Sequence, residues 1–192
     1  MLTASDMIDA VKSNLDEIFR GYMLPNKAGI LQEVKIFTQY MPQPSGITVA
    51  SEKTSGTKGY SSDDFNMNFP GVIIKLGEMT DSEERRLDLT KAGLRLLFGV
   101  CEWEAETGDR EADSRIKNEC WRDVLLMMER VRQSWLKDRI IGRLFKVLLP
   151  IVMNLLEDDT YPLYFGELKT ELLTWLPAGS PEYVYRGILK TT

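Results

Sequence analysis

The chain has 192 residues, a length that fits one domain. At 43% hydrophobic and 28% charged residues it can bury a core and is not a disordered chain. With 29 acidic against 24 basic residues its formal net charge is -5. That balance disfavours a protein that works by neutralising phosphates, and no basic stripe is visible along the sequence.

Histidine is absent, which removes the commonest general base and the commonest metal ligand together. The only cysteines, Cys101 and Cys120, are too far apart for a CxxC motif and too few for a disulfide framework. They read as reduced thiols of a protein made in a cytosol. The opening "MLTASDMIDAVKSNLDEIF" has no apolar run of signal-peptide type. The apolar stretches "VLLPIVMNLL" and "DVLLMM" are too short to span a bilayer, so the expectation is a soluble, intracellular protein.

In chain order, "SDMIDAVKSNLDEIFR" (5–20) places Met7, Ile8, Val11, Leu15, Ile18 and Phe19 at helical spacing. Ser5 or Asp6 is the expected cap, and Gly21 marks the end. "ILQEVKIFTQYM" (30–41) reads as a strand ending before Pro42. Residues 42–69 are rich in Ser, Gly, Thr and Pro and predict a long flap or projecting hairpin, with "GITVAS" as a short strand inside it.

A strand resumes over 71–77, with Val72, Ile74 and Leu76 on one side and Ile73 and Lys75 on the other, followed by a charged turn "TDSEERRLD". The next strand puts Ala92, Leu94, Leu96, Phe98 and Val100 on one face, Lys91, Arg95 and Gly99 on the other. After a polar loop, residues 114–138 predict the clearest helix, with a stripe of Ile116, Cys120, Val124, Met127, Met128, Val131 and Trp135. Arg130, Arg132 and Lys137 toward its C-terminal end suit the helix dipole. "RLFKVLLPIVMNLLED" and "YFGELKTELLTWLP" predict two strands joined at "DDTYP", the first at an edge or bulged because Pro150 donates no hydrogen bond. In the second, Leu168, Thr170, Leu172 and Thr174 alternate with Glu167, Lys169, Glu171 and Trp175. The expected fold is α+β, a mostly antiparallel sheet with two main helices packed on one face and a long loop or hairpin insertion.

Catalytic chemistry finds little footing. Without histidine the usual Ser and Cys triads and dyads are excluded, and a Ser–Lys pair within "SEKTSGTKG" competes with a plain solvated loop, the preferred reading. "GTKGYSS" lacks the spacing of a phosphate-binding loop. The acidic runs "CEWEAETGDREAD" and "LEDDT" match no EF-hand, and solvated acidic loops explain them better than a metal or glycosidase site. Trp103, Trp121, Trp135 and Trp175 are expected in core or interface packing, and the methionines of "LLMMERV" as core filler. The chain is expected to act by shape and contact, with no cofactor, no metal and no catalytic residue.

Several segments taken together resemble the tail terminator (tail completion, or minor tail) proteins of long-tailed bacteriophages. They are "FPGVIIKLGE", the acidic turn "GEMTDSEERR", "LRLLFGVCEWE", the helix "CWRDVLLMMERVRQSWL" and the last hairpin "TYPLYFGELKTELLTWLP". The resemblance covers residues 70–177, with the first 40 compatible and 42–69 weaker; the loop "EAETGDREADSRIKNE" and the tail 178–192 depart from the pattern. It implies a domain over 1–177 that forms a ring, usually a hexamer, capping the head-proximal end of the tail tube in the virion. The implied partners are other copies of the chain, the tail-tube protein and the head–tail connector or head-closure protein, with DNA only passing through the lumen and no membrane. Edge pairing and docking point to Pro150, Tyr161, Tyr164, Phe165, Tyr183 and Tyr185 as interface residues. Charge repulsion of DNA points to loops with Glu78, Asp81, Glu83, Glu84, Glu104, Glu106, Asp109 and Glu111 as lumen lining.

Three rivals stand beside this reading. One is a head-closure or head–tail adaptor ring of the same neck. Another is a carboxylate hydrolase or nuclease using Asp109, Glu111 or Asp113. The last is a regulator that binds a partner helix through the Met-rich face of 114–138, which requires that face to be exposed.

Overall fold

The computed structural model describes residues 3–40, 68–84, 87–102, 120–156 and 163–174, and of residues 83, 84, 87 and 88 the backbone alone. The flap over 42–67, most of the polar loop before the second helix, and the tail after 177 lie outside the described residues.

Helix α1, Ala4–Phe19, begins one step earlier than the expected caps. Thr3 is the N-cap: its Oγ1 accepts the Asp6 amide at 3.2 Å, and its own amide donates to Asp6 Oδ2 at 2.6 Å. This reciprocal capping box satisfies two otherwise orphaned donors and holds the Asp6 carboxyl below its usual range. Gly21, at φ +70, closes the helix as expected. Met7, Val11, Leu15 and Phe19 are buried along one stripe.

The single strand expected over 30–41 is two. Strands β1 (Met23–Pro25) and β2 (Leu31–Glu33) form their own antiparallel pair, around a buried Asn26 whose Oδ1 accepts the amides of Ala28 and Ile30. Strand β3 (Lys35–Thr38) joins the main sheet, parallel to β4 (Gly71–Glu84). β4 pairs antiparallel with β5 (Leu87–Cys101) from Gly71↔Gly99 out to Glu84↔Leu87, with a bulge between Leu76 and Met79. The charged stretch expected as a turn is therefore mostly strand. β9 is described as far as Thr174, opposite Thr90, and the last rungs of β4 and β5 lie beyond that point.

Helix α2 is described over Cys120–Lys137, and after it come β6 (Ile140–Ile141), β7 (Phe145–Val147), β8 (Val152–Leu155) and β9 (Leu163–Thr174). Gly142 and Arg143, both at positive φ, make the tight turn between β6 and β7, a small hairpin that the sequence reading passed over. The sheet order is β3-β4-β5-β9-β7-β6, with β8 also against β9. β7 and β8 pair with β9 along one segment interrupted at 148–151, where Pro150 sits in the break; β7 also carries β6 on its other side, so of the two only β8 is an edge among the described strands. The Leu148 amide still donates to the Glu171 carbonyl at 2.8 Å, and Thr170 Oγ1 donates to the Leu148 carbonyl.

Both helices lie on one face of this α+β sheet, as expected from the alternation. Cys120, Val124, Met127, Met128, Val131 and Trp135 of α2 are buried with Leu94, Leu96, Phe98, Leu168 and Leu172 of the central strands. Each such side chain withdrawn from water contributes roughly 1.5–3 kcal/mol. Met127 and Met128 have no exposed surface, so the partner-helix regulator reading loses the face it requires. Gly166 sets the depth of the seat: a Cβ there would stand 2.6 Å from Val124 Cγ1 and 2.8 Å from Met128 Cε. Trp135 is buried at the α1–α2 contact and its Nε1–H donates to Asn14 Oδ1 at 2.8 Å, whereas Trp121 is 39% exposed beneath the Arg122 guanidinium.

Replacing Asn14 by Ala leaves the buried indole N–H without its acceptor. We expect a loss of about 1–3 kcal/mol in urea unfolding, with a shifted Trp emission in the folded state. Burial, aided by Asp123 and Glu102, pushes the Cys120 thiol up from 9.0 to about 12. Cys120 should resist iodoacetamide at pH 8 until the protein is unfolded. Because the unfolded thiol ionises first, stability should fall as pH rises above about 9.

Candidate interaction surface on the open face of the sheet

The face of the sheet away from the helices is built from the other half of each alternation. Cross-strand register places Ile73, Leu97 and Glu167 in one row and Lys75, Arg95 and Lys169 in the next. Further along, Lys91 and Lys146 both stand opposite Leu173. Three cations on adjacent strands, about 4.8 Å apart, repel one another unless something neutralises them. Glu167 does this. Its carboxylate is 3% exposed and pairs with Arg95 on one side and with Lys169 Nζ at 2.6 Å on the other, while those two cations remain about half exposed. Lys75 makes no ion pair among the described residues. Glu167 is buried although it stands on the open face, because an acid between two long cationic side chains is covered by their stems.

An apolar end adjoins this charged row. Phe69 meets Phe165 edge-on, with centroids 5.7 Å apart, over Gly99, where a Cβ would stand 2.9 Å from the Phe165 ring. Beside them lies a wholly apolar cavity of 220 Å³ bounded also by Ile73, Leu97 and Leu156. On the other side of the cations runs an open groove of 430 Å³. Its floor is bare backbone at Gly77 and Gly93, one wall is Arg95 and Lys169, and the other is Leu149, Pro150 and Val152. Leu149, Val152, Leu155 and Leu156 are all exposed, along a strand edge that pairs with β9 on one side. An apolar edge of this kind is ready to meet another chain.

The expected interface residues divide. Pro150 and Phe165 both border this face but do not meet: Pro150 lines the groove and Phe165 the cavity, on opposite sides of the cationic row. Tyr164 does not: it alternates to the helix face and packs, half-buried, against the core. Tyr161, Tyr183 and Tyr185 lie outside the described residues. Of the expected acidic loops, Glu78 and Asp81 are exposed on a strand, not a loop, and Asp81 Oδ1 accepts the Thr90 hydroxyl at 2.6 Å. Glu83 and Glu84 continue that strand with side chains outside the description; Glu104, Glu106, Asp109 and Glu111 lie wholly outside it. The cationic row was missed because its members are 20 and 74 positions apart in sequence; the odd-numbered alternation of Lys75, Arg95 and Lys169 was the one available signal.

Among the described residues no three Asp, Glu or Cys side chains gather at metal-binding distance, and no helix is long and apolar enough to cross a membrane. No family model matches the chain, and comparison with curated proteins returns no match.

Replacing Glu167 by Gln removes the charge that separates Arg95 from Lys169. We expect a loss of about 1–3 kcal/mol in the unfolding free energy from urea titration, reduced in added salt, which screens the exposed cations.

Proposed function

We propose that this chain is a tail-terminator protein of a long-tailed bacteriophage: a structural subunit that assembles into a ring on the head-proximal end of the tail tube, stops its growth and presents the surface to which the head is joined. The observation that carries this reading is the ordered set of segments that resemble that family. "FPGVIIKLGE", "CWRDVLLMMERVRQSWL" and "TYPLYFGELKTELLTWLP" run through β4, α2 and β9, the elements that make the packed centre.

The surface is in keeping with a protein that works by contact. A ring requires two different, complementary patches on each subunit. The one-sided sheet offers an open face with an apolar cavity, and the exposed edge at β8 offers backbone for strand pairing. Glu78 and Asp81, exposed on β4, supply negative charge for a channel that DNA must cross without adhering. In this reading the chain has neither a catalytic centre nor a cofactor.

The test is electron microscopy of the tail-tube protein of the same virus polymerised with and without this chain. Rings of uniform size at one end of shortened tubes are the expected result. Tubes that grow uncapped while the chain binds the head connector would move it to the adaptor side of the neck, and binding to neither would sink the reading.

A further inference from the structure

The outward face of α1 is the electrostatic counterpart of the open sheet face. Opposite its buried stripe the helix carries Asp6, Asp9, Asp16 and Glu17 against Lys12 and Arg20. Asp9, Asp16 and Glu17 make no ion pair among the described residues. Asp9 and Glu17, eight residues apart, stand about 12 Å apart along the helix. Between them are the small side chains of Ala10 and Ser13, in a shallow groove of 360 Å³ that Gly142 closes. Across the sheet, Lys75 and Lys169 stand two strands apart, roughly 10 Å. The two charged rows are opposite in sign and similar in length.

They also lie on opposite sides of the subunit, since α1 packs on the face that the cations leave. Two complementary patches that face away from each other cannot satisfy one another within one chain. They can do so between copies, head to tail.

We propose that the open sheet face of one copy receives the acidic outer face of α1 from the next copy, with Lys75, Arg95 and Lys169 set against the neighbour's Asp9, Asp16 and Glu17. This deepens, and rests on, the ring reading above. The bare backbone at Gly77 and Gly93 admits a helix closely, and the small residues of the α1 ridge present no bulk against it. The contact covers the cationic row in the assembly. The contact covers as many acids as cations, so the assembled subunit keeps its net charge of -5, which fits a ring around DNA.

Charge exchange in the full-length chain tests this. Lys75→Glu reverses the cation of the row that makes no ion pair among the described residues, and Asp9→Lys with Glu17→Lys reverses the helix. All three positions are on the surface, and thermal unfolding of each variant checks that the fold is kept. Sedimentation velocity at low salt should show self-association weakened about tenfold or more in each variant alone. An equimolar mixture should recover it, because each reversed face then meets a reversed partner. Lys75→Ala, with a smaller loss and no rescue, serves if Lys75→Glu does not fold.

Rings that persist unchanged in every variant overturn the assignment of these faces and leave the ring reading standing. A wild-type chain that stays monomeric alone and on tube ends overturns both. Loss of retention on duplex DNA in Lys75→Glu, with assembly unaffected, overturns the proposal in favour of phosphate as the partner of the row.

Discussion

The close seat of α2 on β9 governs the rest of the structure. Val124 and Met128 occupy the volume that a side chain at residue 166 would fill, so the helix lies as near the sheet as backbone permits. At that depth its whole apolar stripe, from Cys120 to Trp135, is withdrawn from water. Trp135 at its far end reaches α1 and finds Asn14, which fixes the two helices relative to each other. Arg130 adds a second tie, donating from Nε to the Ile18 carbonyl at 2.7 Å and lying over the Tyr22 ring. With both helices committed to one side, no helix among the described residues covers the other side of the sheet.

That second face is unlike an ordinary solvated one. An antiparallel sheet with one wet face normally shows polar alternation throughout, yet here Ile73, Leu97 and Phe165 gather at one end and border an apolar cavity. The charged part is held in place by a carboxylate that has itself been taken out of water. A buried acid between two cations is an expensive arrangement compared with an apolar residue, and it is tolerated where charge at that place is needed. Arg95 and Lys169 keep about half their surface exposed and can still meet an anionic partner. A face that combines an apolar anchor, paired cations and a strand edge suits recognition rather than catalysis.

Much of the fold was legible in the sequence because its signals are local. The period of α1 and α2, the alternation in 92–100 and 168–174, and the stop at Gly21 each depend on residues within one element. The errors fell where partners decide. Thr3 displaced the expected caps because the capping box needed Asp6 as its reciprocal acceptor. The charged stretch 80–84 is strand because β5 supplies its ladder, against its turn-like composition. Tyr164 and Phe165, adjacent aromatics offered together as interface residues, part to opposite faces because the period of a strand is two.

By itself, then, the sequence determined the two helices and the long central strands, the inward face of each, the absence of histidine chemistry and the run of motifs on which the functional reading rests. Only the tertiary structure decided what the outward faces assemble. Lys75, Arg95 and Lys169 become a row, and Glu167 its buried counter-charge, because register brings three strands side by side. Composition counts charges along the chain, whereas the Coulomb interaction depends on their separation in space. A net acidic chain can therefore carry a cationic face that no window of its sequence displays.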